Sequence, residues 1–305
     1  MLQLLKNLKP ALPPVAVLLE PPLLSALRVS SVRKCWEILV EHEEPVPILE
    51  DGFWPSSDQA TKLASDLLVR LGQPKRLSIV LGDPFFRMQV LTLEEFPRQE
   101  KERHQVILWH VRKVLNAPLD EVRLRYEVLR KNPGAVTLWL TLCPEEPARL
   151  IEEAFSSLGC QVGYMGAASV ELFNLGLAKD VVPAEGACLL INRTPAYLSF
   201  LFTENGRPSF FRCKETRVMD EEGADAERVQ QELRLTLAYH REKISSARLS
   251  RIVVRRYPEG VALPLEEVVE DGTQIVDWAS VLPPLPGGRQ RGAERLPLFG
   301  LMESD

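Results

Sequence analysis

Apolar residues along this chain recur at two periods, and the switches between them mark out strands and helices. Val15 to Glu20 is a short apolar run, Leu24 to Val29 is another, and Trp36 to His42 sets Trp36, Ile38 and Val40 in alternation with Glu37, Leu39 and Glu41. Runs of this length and period predict three strands joined by tight turns. Ser56 and Ser57 then precede a stretch with Leu63, Leu67, Leu68 and Leu71 on one face, closed by Gly72 and Pro74, which predicts a capped amphipathic helix. Arg76 to Leu81 and Phe85 to Leu93 read as strands around the turn Gly82-Asp83-Pro84. A helix from about Pro97 to Leu115 carries Val106, Ile107, Trp109, Val111 and Val114, and Pro118 stops it.

Glu121 to Arg130 and Ala135 to Leu142 are two further strands, separated by Asn132-Pro133-Gly134, a strong hairpin signal. Pro144 to Leu158 reads as a helix, Cys160 to Met165 as a strand and Ala167 to Ala178 as a helix. After a boundary at Asp180 to Gly186, the runs Ala187 to Asn192, Tyr197 to Thr203 and Ser209 to Lys214 predict three more consecutive strands, with a turn at Asn205-Gly206. A long helix from about Ala224 to Lys243 and the strand Leu249 to Arg256 follow. Three strands followed by a helix thus occur twice, the pattern of a mixed-sheet α/β protein with covered sheets. From Pro283 to Gly292 the chain turns to Pro, Gly and Arg, which reads as a linker, and an apolar stretch from Leu296 to Met302 could dock back on the body.

Composition narrows the function. With 305 residues, 45% hydrophobic and 26% charged, the chain suits two subdomains with separate cores. A net charge of -5, with no basic block beside aromatics, argues against nucleic acid as partner. The five cysteines, Cys35, Cys143, Cys160, Cys188 and Cys213, lack metal or disulfide spacing and read as reduced core residues of the cytosol. No run approaches the length of a membrane-spanning helix, and the proline-broken start does not read as a secretory signal.

Candidate chemistry is sparse. The acidic pairs Glu43-Glu44, Glu94-Glu95, Glu145-Glu146 and Glu266-Glu267 are adjacent, so their carboxylates do not converge on one point and read as solvated surface. His42, His104, His110 and His240 have no shared metal spacing. The motifs of hydrolases, P-loop enzymes and dinucleotide binders are all missing. Phe85 and Phe86 adjoin after a turn, which sends the two rings to opposite faces of a strand. An exposed ring there would anchor a partner, although core is the more ordinary place for both.

The order of elements resembles the actin-like ATPase fold, a duplicated, ribonuclease H-like α/β architecture, in its PilM and FtsA form with a small α/β subdomain inserted in the first half. The segment from Leu77 to Leu129, containing SIVLGDPFFRMQVLTLEEFP and APLDEVRLRYEVL, is similar to the PilM insertion. LLINRTPAYLSFLFTENGRPSFFRC is similar to that family's second meander, and VQQELRLTLAYHREK to the helix after it. The resemblance implies a first subdomain over 1–76 and 131–181, an insertion over 77–130, a second subdomain over 182–282 and a flexible C-terminal tail over 283–305.

Members of that family hold ATP through Gly-rich, Asp-containing turns, because backbone amides must approach the phosphates and carboxylates must hold Mg²⁺. This chain departs at each such turn, with Glu20-Pro21-Pro22-Leu23, Asn192-Arg193-Thr194-Pro195 and Arg255-Arg256-Tyr257-Pro258. The resemblance with these departures implies a degenerate site, no catalysis and no obligatory cofactor. Residual weak binding of ATP and Mg²⁺ would fall to Asn192, Arg193 and Thr194, whose ordinary reading is a polar strand-to-turn transition. No metal-ligand set is expected.

What the resemblance implies for function is a cytoplasmic scaffold at the inner membrane, in a type IV pilus or type II secretion-like platform with its motor components. Such a scaffold grips the N-terminal tail of a PilN-like membrane protein in a groove between first subdomain and insertion, with Phe85, Phe86, Arg87 and Leu91 as wall residues. The rival readings are an active actin-like ATPase or sugar-kinase-type phosphotransferase, which needs a catalytic carboxylate, and a GspL-like secretion component.

Overall fold

The computed structural model describes residues 12–20, 23–30, 35–42, 56–112, 121–216, 222–257, 263–265, 269–270, 272–281 and 290–303. They fall into two units. One is drawn from Met1–Gly82, Leu150–Lys179 and Glu294–Asp305, the other from Asp83–Arg149 and Asp180–Ala293.

In the first unit β1 (Val15–Glu20), β2 (Leu23–Ser30) and β3 (Cys35–His42) form an antiparallel meander. β4 (Arg76–Leu81) lies parallel to β1, and β8 (Gln161–Ala167) parallel to β4, so the sheet order is β3-β2-β1-β4-β8. All six residues of β1 are buried, as a strand covered on both faces requires, and this is why it reads as a continuous apolar run. Helix α1 (Ser57–Arg70) starts from a capping box: Gln59 N donates to Ser56 Oγ at 3.3 Å and Ser56 N donates to Gln59 Oε1 at 2.9 Å, which satisfies two orphan donors of the first turn. It buries Ala60, Ala64, Leu67 and Leu68.

Helix α4 (Ala168–Ala178) carries the fully buried Glu171, whose carboxylate accepts from Tyr164 Oη at 2.6 Å and Asn174 Nδ2 at 3.1 Å. Helix α7 (Gln290–Glu303) closes the unit with Arg295, Leu296, Leu298, Phe299 and Leu301 all buried. Its Gly300 lies so close to the Glu171 backbone carbonyl that no side chain fits between them.

The second unit begins with a single 3₁₀ turn, Asp83–Phe85, then β5 (Arg87–Leu93), α2 (Glu100–Arg112), β6 (Val122–Asn132) and β7 (Ala135–Pro144). These strands form an antiparallel sheet in the order β5-β7-β6. Leu93, Leu138, Leu140 and Leu142 of the sheet pack on Ile107 and Val111 of α2. Helix α3 (Glu145–Ser157) runs from this unit into the first, its Glu145 gripped by both Nε (2.7 Å) and Nη2 (2.8 Å) of Arg123.

The rest of the unit repeats the topology of the first. β9 (Ala187–Arg193), β10 (Tyr197–Glu204) and β11 (Arg207–Glu215) form the meander, followed by α5 (Glu222–Tyr239), a π-helical turn at His240–Ile244, β12 (Leu249–Arg256), β13 (Gln274–Asp277) and the single turn α6 (Trp278–Val281). The order β11-β10-β9-β12-β13, with β12 parallel to β9 and β13 parallel to β12, matches the first sheet strand for strand. Leu189, Ile191, Leu198, Phe200 and Phe202 meet Val229 and Leu233 of α5 over its core. A duplicated α/β fold with a small inserted sheet is therefore present.

Two expected boundaries move. The insertion was placed at 77–130, but β4 is hydrogen-bonded into the first sheet, and β7 is the central strand of the inserted one. The insertion accordingly runs from Asp83 to Pro144. Hairpin geometry is the reason: Pro133-Gly134, with φ +79° at Gly134, forces β6 and β7 into one sheet, so no boundary can fall between them. The tail expected over 283–305 is replaced by α7 over 290–303, because Leu296, Leu298, Phe299 and Leu301 have apolar surface to bury and Pro297 does not break the helix. The linker residues 283–289, Pro118 and the first two residues of the Pro21-Pro22-Leu23 turn lie outside the described residues.

Candidate functional site

The second unit contains two of the three turns singled out in the sequence, those at Asn192-Arg193-Thr194 and Arg255-Arg256-Tyr257. Asn192, Arg193 and Thr194 close β9, and all three side chains are buried. Asn192 is a hub. Its amide nitrogen donates to Tyr197 Oη at 2.9 Å and to Asp83 Oδ2 at 3.3 Å, while its amide oxygen accepts from Arg255 Nη1 at 2.9 Å. Both hydrogens and one lone pair of the amide are thereby used, and a buried carboxylate and a buried guanidinium meet across it.

Arg193 turns back on the hairpin, donating from Nη1 to Thr194 O at 2.6 Å and to Thr216 Oγ1 at 2.9 Å. Thr194 closes the turn itself: Thr194 N donates to Tyr197 O at 2.9 Å, and its hydroxyl accepts from Tyr197 N at 3.1 Å and donates to Tyr197 O at 3.3 Å. The third turn is stitched to the second, since Tyr257 N donates to Arg193 O at 2.9 Å and Arg255 meets Asn192. Arg256 faces Asp277 at 3.7 Å. The polar side chains of Asn192, Arg193 and Thr194 are thus bonded within the protein, while Arg256 Nε is buried with no hydrogen-bond partner among the described residues. A phosphate cradle needs the reverse, donors aimed outward at a ligand.

Asp83 is the residue sequence reasoning passed over. It sat in a turn and read as punctuation, yet it is fully buried and joins the start of the insertion to the end of β9. Its one signal was an acid between Gly82 and Pro84, directly before two aromatics that both proved to be core: Phe85 and Phe86 are each buried. Leu91, the last nominated wall residue, packs against the core of the inserted sheet.

Phe86 and Arg87 line a trough of about 500 Å³. Pro84, Phe86, Arg87 and Met88 form its insertion side, residues 211–216 of β11 and its end form its floor, and Arg228, Val229 and Glu232 of α5 form its far side. Arg212 reaches across to Glu232 at 2.6 Å. Arg87, Lys214 and Arg228 are exposed and make no ion pair among the described residues. Cys213 also lines the trough, but burial and the Asp83 carboxylate push its thiol well up from its ordinary value, so it is no nucleophile. Burial likewise pushes Cys188 up to about 12. Among the described residues no three His, Cys, Asp or Glu side chains gather in a way that could hold a metal ion, and no helix is long and apolar enough to cross a membrane.

No protein-family model matches the chain, and no curated protein matches it. Solved structures match it over nearly its whole length. A chain of a PilM-PilN type IV pilus biogenesis complex is similar with TM-score 0.76 at 15% identity, over 97% of this chain and 100% of that one. A Bacteroides thetaiotaomicron protein with an actin-like ATPase fold and unknown function gives 0.58 at 11%, over 95% of each chain. The cytoplasmic domain of EpsL, an inner membrane component of the type II secretion system of Vibrio cholerae, gives 0.53 at 10%, again over 95% of each. The chain has the actin-like ATPase fold.

Proposed function

We propose that this chain is a non-hydrolysing scaffold of an inner-membrane assembly platform of the type IV pilus or type II secretion kind. In this reading it works in the cytoplasm beneath the membrane and holds the tail of a PilN-like membrane protein. The observation that carries the reading is the match in fold to a chain of a PilM-PilN complex over 97% of the residues, which takes in both sheets and the insertion together. The likeness to the EpsL cytoplasmic domain points to the same kind of apparatus.

The loss of nucleotide chemistry rests on the hairpin end of β9. Asn192 and Thr194 spend their polar atoms on Asp83, Tyr197 and Arg255, and a phosphate arriving there would have to displace bonds already made.

Melting the protein with and without millimolar Mg²⁺-ATP tests that half. A ligand at 100 times its Kd adds about 2.7 kcal/mol, which moves Tm by roughly 5–10 °C for a protein of this size class. The expected shift is below about 1 °C, and a shift of several degrees returns the chain to the ATPase class. The partner half is tested in the same assay with synthetic cytoplasmic tails of single-span inner-membrane proteins from the producing cell. One tail is expected to raise Tm in a saturable way, and failure of every tail removes the scaffold reading.

A further inference from the structure

β11 ends its sheet, paired with β10 on one side only. Thr216 N donates to Ala196 O at 2.9 Å, and antiparallel alternation then directs the backbone groups of Arg212 and Lys214 toward β10 and those of Phe211, Cys213 and Glu215 away from it. The phase is consistent across the meander, because Thr194 N donates to Tyr197 O, which assigns the odd-numbered residues of β10 to β9. Among the described residues no backbone hydrogen bond closes the outer side of β11 at 211, 213 or 215.

This open edge is the floor of the trough. On either side stand buried apolar groups, Phe86 and Met88 of the insertion and Leu198 and Val229 of the second subdomain. An edge left bare on a surface invites unwanted pairing, whereas an edge recessed between two apolar walls admits one extended chain and directs its alternate side chains to opposite walls. Charge then selects the chain. The lining holds four cations, Arg87, Arg212, Lys214 and Arg228, against two carboxylates, Glu215 and Glu232, in a protein whose net charge is -5. Glu232 is engaged by Arg212, so among the described residues three cations line the opening against Glu215. A membrane protein's cytoplasmic tail is the wrong occupant, since such flanks are rich in Lys and Arg.

We propose that the trough is a second docking site, for an extended acidic segment of a soluble partner, which adds to β11 as a strand. The segment spans about five residues, matched to 211–215, and sets carboxylates toward Arg87 on one wall and toward Lys214 and Arg228 on the other. Its apolar side chain seats among Phe86, Met88 and Val229. The proposal does not depend on the identity of the membrane partner.

The test uses the full chain and three fluorescein-labelled heptapeptides, read by anisotropy at low salt. One repeats Glu-Glu-Val, so that adjacent carboxylates face opposite walls, one repeats Lys-Lys-Val, and one is the Glu peptide with alternate backbone nitrogens methylated. The Glu peptide is expected to bind saturably. Its affinity should fall about tenfold or more with Arg87→Glu plus Lys214→Glu, two exposed positions whose change leaves Tm in place. The methylated peptide should bind far more weakly, because it cannot complete the ladder. Absence of binding by the Glu peptide overturns the proposal, as does equal binding to the charge-reversed variant. Equal binding of the methylated peptide overturns strand addition, and preference for the Lys peptide would give the trough to a basic membrane tail instead.

Discussion

Replacing Gly300 with alanine should destabilise this protein, although the same change in an ordinary helix interior stabilises it by about 1 kcal/mol. An added Cβ would lie inside the van der Waals envelope of the Glu171 carbonyl group and 3.1 Å from the Glu171 Cα. These are backbone atoms of α4, which cannot rotate aside as a side chain would, so α7 must move. The four apolar side chains that α7 buries, Leu296, Leu298, Phe299 and Leu301, are each at most 4% exposed. Each contributes about 1.5–3 kcal/mol when fully buried, and together they set an upper bound of roughly 6–12 kcal/mol, since an unfolded chain already hides part of that surface. Partial displacement should therefore cost about 2–5 kcal/mol after the gain in helix propensity, a large share of a typical domain's stability. Urea denaturation followed by far-UV circular dichroism reads the midpoint, and limited proteolysis reads release of the C-terminal helix. A midpoint equal to or above that of the parent, with α7 still protected, would refute the argument.

Asn192→Leu removes the amide that stands between buried Asp83 and Arg255 while keeping the branched outline of the side chain. Loss of hydrogen bonds to two buried charged groups should cost about 2–4 kcal/mol, measured by the same urea titration; a cost below about 1 kcal/mol would mean the hub is dispensable. His240 lies stacked on Phe202 with ring centroids 3.9 Å apart, its Nε2 buried without a partner among the described residues. Burial holds its pKa below the usual value, with Glu204 acting weakly the other way. The unfolded chain therefore binds this proton first, so stability should fall as pH drops below about 6.5 and level off once the folded pKa is passed. His240→Phe keeps the stack and should flatten that part of the pH profile in thermal melts, whereas an unchanged slope would place its origin elsewhere.

Local signals in the sequence were sufficient for most elements. Ser56 and Ser57 announce α1, as Gly72 and Pro74 announce its end, because caps and breakers are written in single residues, and Asn132-Pro133-Gly134 announces the β6–β7 hairpin because few residues accept a positive φ. The order of elements carried the resemblance to the actin-like fold, since two meanders with an insertion in the first half are that fold's pattern. What stayed hidden depends on pairing at long range. A strand such as β4 is apolar whichever sheet it joins, so its period could not say that Leu77 to Leu81 belong with β1 and β8. The same blindness applies to the sites. Asn192, Asp83 and Arg255 are separated by 109 and 63 positions, and only the folded second unit shows that one amide serves both charges. Of the nominated wall residues, Arg87 and Phe86 reach the trough, while the cations opposite them, Lys214 and Arg228, carried no local mark. Helix α7 was obscured by the Pro- and Gly-rich stretch before it.

The inserted sheet is fastened to the second subdomain at three separate places. Asp83 bonds Asn192 where the insertion begins, Trp139 of its central strand meets Phe211 edge to face with centroids 6.4 Å apart, and Arg207 donates to Leu129 O at 2.7 Å near the tip of the β6–β7 hairpin. A flap tethered only where it joins the chain can swing about that tether, whereas the contacts at Phe211 and Arg207 hold this one away from its point of attachment as well. A pull exerted on the inserted sheet is therefore transmitted to β9, β10 and β11 as a displacement of the whole, with little lost to internal bending. In the scaffold role proposed above, that would make the insertion a handle rather than a lid.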